Sequence, residues 1–418
     1  MKIALLTQYY PPEIGAPQGR LSSLAKALVK RGHTVFVLTA MPNYPLGRTY
    51  EGYGGCFRRE ELAGVQVIRT MIYPTKSVAR VKRLASYGSF VVSSAIAGAM
   101  ALPKLDYLLT ESPPLFLGLT GYLLSRLKSA KSIFNVSDLW PESAVRLGII
   151  GDGPALRVAE RLESFCYRKA WLVTGQSREI LEDIQKRFPK TNAYHLSNGT
   201  DSSTWCSGTQ AESTQNQTCM VIYAGLHGIA QGLDQVIAAA HKLKQDTDIK
   251  FVLVGDGPDK KKLMETSQQM GLTNVSFLDP RPAAEVRSLL LSADIGVVPL
   301  KGRIPGAVPS KLYEVMGAGL PVVLVADGEP ATIVRENKAG IVVAPGDVEG
   351  LANALRQLAH DKTLRESLGR RGVEAVNKHF DRRKIHDSFV DYLENDTNEH
   401  LFSGGSAAQL HEGCSDRA

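Results

Sequence analysis

The 418-residue chain is poor in cysteine. Its five cysteines, Cys56, Cys166, Cys206, Cys219 and Cys414, are odd in number and scattered, with no Cys-x-x-Cys pair. This argues against a disulfide framework and a thiolate zinc site, and points to a reducing compartment. No cluster of His, Asp or Cys has metal-ligand spacing, so no metal and no cofactor are expected. Asp246-Thr-Asp248 spells D-x-D but precedes a strand, and reads as a polar loop. The dinucleotide fingerprint Gly-x-Gly-x-x-Gly does not occur. Dense basic clusters are also lacking: 49 Lys and Arg against 42 Asp and Glu leave a net charge of +7. That balance fits anionic ligands or an anionic membrane surface and no nucleic acid. The start, MKIALLTQYYPPE, is too short in apolar residues for an export signal, so a cytoplasmic location is expected.

What is present is ordinary globular composition, 44% hydrophobic and 22% charged, long enough for two or three domains. Short apolar runs alternate with amphipathic stretches: Ile3–Thr7, Val35–Thr39, Val65–Thr70, Tyr107–Thr110, Ile133–Val136, Leu172–Thr174 and Tyr194–Leu196. Runs apolar at nearly every position read as parallel strands covered on both faces. Residues 201–218 are mostly Ser, Thr, Gln and Gly and read as an interdomain loop. Alternation restarts at Met220–Ala224 and continues through Ile341–Val343. The reading is a doubly wound α/β domain over 1–200 and a second over 219–378. A helix over 379–395 packs back on the first domain, and 396–418 form a flexible tail.

Ligands of such sheets bind at the carboxyl ends of strands. The loop after the first strand carries Gly15 and Arg20: a glycine for close backbone approach to an anion, a helix N-terminus and a cation. Asp138-Leu139-Trp140-Pro141-Glu142 follows another strand, with carboxylates to accept sugar hydroxyls and a ring to stack on a pyranose. Asp138 as a plain helix cap is the alternative. In Pro309-Ser310-Lys311-Leu312-Tyr313-Glu314 a loop enters a helix. Lys311 lies in the first turn, where a cation opposes the helix dipole unless an anion sits there. Glu314, a turn further in, is placed to accept two ribose hydroxyls. Gly255-Asp256-Gly257-Pro258 is either a phosphate-approach turn or a structural one.

The ordered set PPEIGAPQGRLSSLAKALVKRGHTVFVLTA, SDLWPESAVRLG, LSNGTD, VIYAGLHGIAQGLD, FVLVGDGPDKKKL and PSKLYEVMGAGLPVV resembles the retaining GT-B glycosyltransferases of family 4. It is most similar to the bacterial cell-surface polysaccharide branch, in particular fucosamine or N-acetylhexosamine transferases of capsule and O-antigen assembly. The resemblance implies a GT-B fold, two Rossmann-like domains facing a cleft, and a metal-independent reaction. It implies a nucleotide-sugar donor, UDP-linked, on the second domain and a lipid-linked or saccharide acceptor on the first. By it, Gly15 lines the phosphates, Asp138 meets the reacting sugar or the acceptor, and Glu314 holds the ribose. Together with the residue readings above, the expected donor contacts are Gly15, Gly225, His227, Gln231, Gly255, Gly257, Ser310, Lys311 and Glu314. Asp138, Lys311 and Arg20 carry the reaction, and Trp140 and Glu142 meet the acceptor.

Two departures stand out. The family's E-x7-E motif keeps its second Glu as Glu314, but its first position is Gly306. The loop after the first strand of the second domain has Gln231 where the family usually has a Lys that clamps the leaving diphosphate. Lys311, Arg303 or Arg20 is then left to supply that charge. An epimerase of the same fold and a non-catalytic nucleotide-sugar-binding subunit are the competing readings.

Near the middle of the first domain, Lys76, Arg80 and Arg83 share a helical face and Lys82 adds a charge. Leu84–Pro103 follows without a charge, but holds too many Ser and Gly for a membrane span. It reads either as a helix buried beside the sheet or as a lip that docks peripherally on the inner face of the cytoplasmic membrane.

Overall fold

The computed structural model describes residues 1–77, 79–146, 151, 153–206 and 218–403. The first domain is built on an eight-stranded sheet ordered β3-β4-β2-β1-β5-β6-β7-β8. Its strands are β1 (Lys2–Leu6), β2 (Thr34–Ala40), β3 (Phe57–Leu62), β4 (Val65–Thr70), β5 (Tyr107–Ser112), β6 (Lys131–Val136), β7 (Leu172–Gly175) and β8 (Ala193–His195). All pairs are parallel except the β3–β4 hairpin. Helices α1 (Ala16–Lys30), α2 (Arg80–Ala101), α3 (Leu117–Leu127), α4 (Glu142–Arg146), α5 (Pro154–Lys169) and α6 (Arg178–Arg187) connect them. The central strands are buried, as their apolar runs require: β5 at every position, and β1 and β2 at all but the first.

A short helix, α7 (Ser202–Cys206), occupies the start of the expected interdomain loop; residues 207–217 lie outside the described residues. The second domain holds a six-stranded, wholly parallel sheet ordered β11-β10-β9-β12-β13-β14. It comprises β9 (Cys219–Ala224), β10 (Ile249–Val254), β11 (Val275–Leu278), β12 (Ile295–Pro299), β13 (Val322–Val325) and β14 (Gly340–Val343). Around it lie α8 (Leu233–Lys242), α9 (Lys260–Gln269), α10 (Ala283–Ser292), α11 (Ser310–Gly317), α12 (Glu329–Glu336), α13 (Val348–His360) and α14 (Lys362–Ala375). The side chains of Asp347 and Asp361 cap α13 and α14, accepting from Gly350 N and Leu364 N at 2.8 Å each.

The chain then returns. Thr200 N donates to Phe380 O, and Arg382 N to Thr200 O, each at 2.9 Å, so the two crossings between domains run side by side. Helix α15 (Arg382–Ser403) seats Phe389, Val390 and Leu393 in the core of the first domain. It runs on to Ser403, past the end expected at 395; residues 404–418 lie outside the described residues.

Both sheets reverse strand order beside their first strand, at β1/β5 and at β9/β12. The loops leaving these strands open the crevice in which such folds bind ligands. Asp246 and Asp248 lie away from it, paired with Arg356 and His360.

Candidate active site

In the first domain, the loop after β1 is fixed by Glu13. Its buried carboxylate accepts from Asn43 N and Tyr44 N at 2.8 Å each and from Tyr10 N at 3.3 Å. Burial raises its pKa even so. Gly15 then opens α1 with an extended backbone and no side-chain cap. A Cβ there would lie 2.5 Å from Gln18 Oε1. The first turn of α1 therefore presents free amides at the cleft.

Arg20 is not a free cation. Its side chain, 4% exposed, turns inward and pairs with Glu111 at 2.5 Å. It also donates to Asn198 Oδ1 at 2.6 Å and Ser137 Oγ at 2.8 Å. Glu111 accepts in turn from Ser137 Oγ and from Asn135 Nδ2, and Asn135 accepts from Thr174. This buried network ties the ends of β5, β6 and β7 to α1.

Asp138 follows β6 at the edge of that network. Its carboxylate accepts no hydrogen bond among the described residues. Part of its surface is accessible, but protein surrounds the group. Desolvation raises its pKa to about 6; Glu111 adds to the rise and Arg20 opposes it. Trp140 is half-buried beside it. Glu142, also half-buried, is the first residue of α4.

Across the cleft, α11 begins at Ser310 behind Pro309, again without a side-chain cap. The Lys311 side chain lies across Gly225, whose φ is +149° and where a Cβ would stand 2.0 Å from Lys311 Cε. Its ammonium sits 5.4 Å from the centre of the Tyr223 ring, and no carboxylate among the described residues is hydrogen-bonded to it. Desolvation lowers its pKa, against the pull of Glu314. Burial likewise raises that of Glu314, against Lys311 and Arg382. A lysine and a glutamate one turn apart face protein-enclosed space with no hydrogen bond to each other. Of the three candidate cations, Arg20 is held by Glu111 and Arg303 by Glu179 at 2.7 Å; Lys311 has no such partner among the described residues.

Four residues expected to touch the donor make packing contacts within the second domain. The His227 ring is fully buried between Tyr223, at 5.8 Å, and Phe277, at 6.4 Å. Its side chain is enclosed within that domain. Gly255 and Gly257 let the loop after β10 press on the loop after β9. A Cβ at the first would lie 2.0 Å from Gly225 O, and at the second 2.3 Å from His227 O. Gln231 folds back over Gly228, within 2.8 Å of where a Cβ would be.

Two features escaped the sequence reading. Arg382 donates to the carbonyls of Asn198 at 3.0 Å and Gly199 at 2.7 Å. Its field reaches Glu314 on one side and Arg20 on the other, and Arg20 in turn acts on Asp138. Arg382 thus lies between Glu314 and Arg20 at the domain crossing. A cation in the first turn of a helix, the signal that marked Lys311, was equally present there. His386, one turn further along α15, is fully buried with neither ring nitrogen bonded, and its pKa is pushed down to about 3. Gly306 has φ +72°, and a Cβ would lie 2.3 Å from Ile180 Cγ1. The position that would hold the first Glu of E-x7-E is packed on the first domain.

Comparison with known proteins agrees with this architecture. Residues 15–199 match the family described as glycosyl transferase 4-like domain, and residues 210–375 match glycosyl transferases group 1. The chain is 28% identical over 376 residues to WcaI of Escherichia coli (strain K12), a glycosyl transferase assigned provisionally to colanic acid biosynthesis; the match covers 85% of this chain and 92% of that one. It is 24% identical to the uncharacterized glycosyltransferase MJ1607 of Methanocaldococcus jannaschii, over 88% of this chain and 91% of that one. Among solved structures, sucrose-phosphate synthase from Thermosynechococcus elongatus superposes with a TM-score of 0.73 at 18% identity, covering 97% of this chain and all of the other. HepE of Anabaena, solved with UDP and glucose, gives 0.71 at 18% identity, covering 94% of this chain and 100% of that one. With two switch-point loops facing one cleft and both family matches in chain order, the protein belongs to the group 1 glycosyltransferases of the GT-B fold.

Proposed function

We propose that the protein transfers a sugar from a UDP-linked donor to a lipid-linked or saccharide acceptor in cell-surface polysaccharide synthesis. The reading further specifies an N-acetylated amino sugar, retention at the anomeric carbon, no metal, and action at the cytoplasmic side of the membrane. The observation that carries it is the pair Lys311 and Glu314 on α11: a desolvated cation and a desolvated carboxylate, neither hydrogen-bonded by its side chain among the described residues. A nucleoside diphosphate supplies both. Its phosphates meet Lys311 and the free amides of α11, and its ribose hydroxyls donate to Glu314.

As the bond from sugar to phosphate breaks, negative charge builds on the diphosphate. Lys311 stabilises that charge from a site with little water, where an ion is worth most. Asp138 meets the reacting sugar or the acceptor hydroxyl from the first domain. Gly15 brings backbone amides towards the phosphates, and Arg20 holds the floor through Glu111 and Asn198. The relatives support the pathway: WcaI is named for colanic acid, and a lipopolysaccharide core glycosyltransferase of Rhizobium meliloti, LpsE, is 30% identical over 142 residues.

The test incubates the protein with a panel of UDP-sugars and undecaprenyl-linked or oligosaccharide acceptors, with and without EDTA, and reads products by mass. The expected product is an acceptor heavier by one sugar, unchanged by EDTA. An interconverted donor sugar would establish the epimerase, and tight donor binding without turnover across the panel would establish the binding subunit.

A further inference from the structure

Helix α2 has two faces of opposite fate. Ser86, Phe90, Ser94 and Ala97, three and four apart, are buried against the sheet and α3. The opposite stripe, Val81, Leu84, Val92, Ile96 and Met100, is 55–78% exposed. An exposed helix face is ordinarily polar; from Leu84 to Ala101 this helix carries no charged side chain. Beside it, α3 exposes Leu119, Leu123 and Leu127 at 45–57%. Gly98 lets the two helices close up, since a Cβ there would lie 2.5 Å from Leu124 Cδ1. The two stripes form one apolar face of the kind that marks an interaction surface. By length and composition Val81–Ala101 is apolar enough to cross a bilayer. Its buried stripe instead holds it flat against the domain.

Charge selects the occupant. No acidic residue lies between Glu61 and Asp106, nor between Glu111 and Asp138, so both helices sit in stretches free of negative charge. Lys76, Lys82 and Arg83 are exposed at the start of α2, Lys104 past its end, and Arg126 on α3. A second copy of this face would bring like charges together, whereas an anionic surface would pair with them. The face also adjoins the cleft. Arg83 donates to Tyr87 Oη at 3.3 Å, and Tyr87 lies beside Tyr9, in the loop that leads to Gly15.

We propose that the α2–α3 face docks on an anionic phospholipid bilayer, with its aliphatic stripes in the headgroup boundary and its cations on the lipid phosphates. The cleft's first-domain wall then stands at the membrane surface. Docking is independent of the transfer reaction; only its purpose, access to a lipid-linked acceptor, rests on the function proposed above.

Co-sedimentation of the full chain with phosphatidylglycerol–phosphatidylcholine vesicles reads docking directly. Wild type is expected to pellet with anionic vesicles and at least tenfold more weakly with pure phosphatidylcholine. Val92→Glu with Ile96→Glu, or Leu119→Glu with Leu123→Glu, should each weaken binding tenfold or more with an unchanged Tm. Lys82→Gln with Arg83→Gln should weaken it most at low salt. Met264→Glu, on the second domain and also exposed, should bind as wild type. Wild type left in the supernatant at low salt would overturn the proposal, as would glutamate variants that pellet unchanged. So would light scattering that shows a dimer which the Ile96→Glu pair dissociates. Vesicle binding without sugar transfer would leave the docking standing and count against the transferase reading.

Discussion

Asp138, proposed above to meet the reacting groups, illustrates how a buried carboxylate opposes stability. Its carboxyl has a folded pKa of about 6 against an ordinary 3.8. Folding therefore favours the protonated form; the stability this lends is full below the ordinary value and is lost as pH rises through about 6. Asp138→Asn removes the charge that becomes unfavourable above pH 6. We expect the variant to be more stable than wild type at pH 7–8 by about 1–2 kcal/mol, a figure reduced for partial solvent access, and equal to it near pH 4. Denaturant unfolding at the two pH values checks this. Turnover should fall by orders of magnitude in the same variant. Arg20 gives the opposite pattern. Removing it strands the buried Glu111 carboxylate, so Arg20→Met should cost about 3–5 kcal/mol. Adding Glu111→Met should recover most of that loss, which a purely catalytic arginine would not show. Asp138, Lys311 and Glu314 follow strands or open a helix, where their chemistry is conspicuous. Burial is not written in a single sequence, and so His227 read as a cleft residue while its side chain is enclosed within the second domain.

Among the elements, the parallel strands were legible because both faces are covered and nearly every position is apolar, as in Tyr107–Thr110 and Val322–Val325. β3 was not. Its residues, FRREEL, are charged because it is an edge strand paired on one side only, antiparallel to β4, and mostly solvent-facing. Gly306 shows an element-scale cause for a missing residue. The loop after β12 meets the start of α6, which Glu329 caps by accepting from Arg178 N at 3.0 Å and Glu179 N at 2.7 Å. Gly306→Glu would force a side chain into Ile180 at a left-handed backbone position, costing about 1–3 kcal/mol. We expect the variant to separate the domains, seen as a larger radius of gyration by solution scattering, without a gain in turnover. Unchanged scattering with higher turnover would mean that the loop accommodates the family's glutamate.

The molecule as a whole is two sheets joined at two adjacent crossings, with α15 returning from the second domain to the core of the first. The two Rossmann-like domains were legible in the alternation of apolar runs and amphipathic stretches. Arg382 was not legible, because its place where the crossings meet is set by the fold and not by local sequence. On the function proposed above, the work divides between the domains: α11 would seat the nucleotide, and the first domain would supply Asp138 to the reaction. Calorimetric titration of UDP into wild type, Lys311→Met, Glu314→Gln and Asp138→Asn tests that division most directly. Loss of two hydrogen bonds to a charged carboxylate, about 1.5–3 kcal/mol each, predicts that Glu314→Gln binds UDP at least tenfold more weakly. Lys311→Met should do the same, while Asp138→Asn stays within twofold of wild type. A single Kd shared by wild type, Lys311→Met and Glu314→Gln would contradict that division.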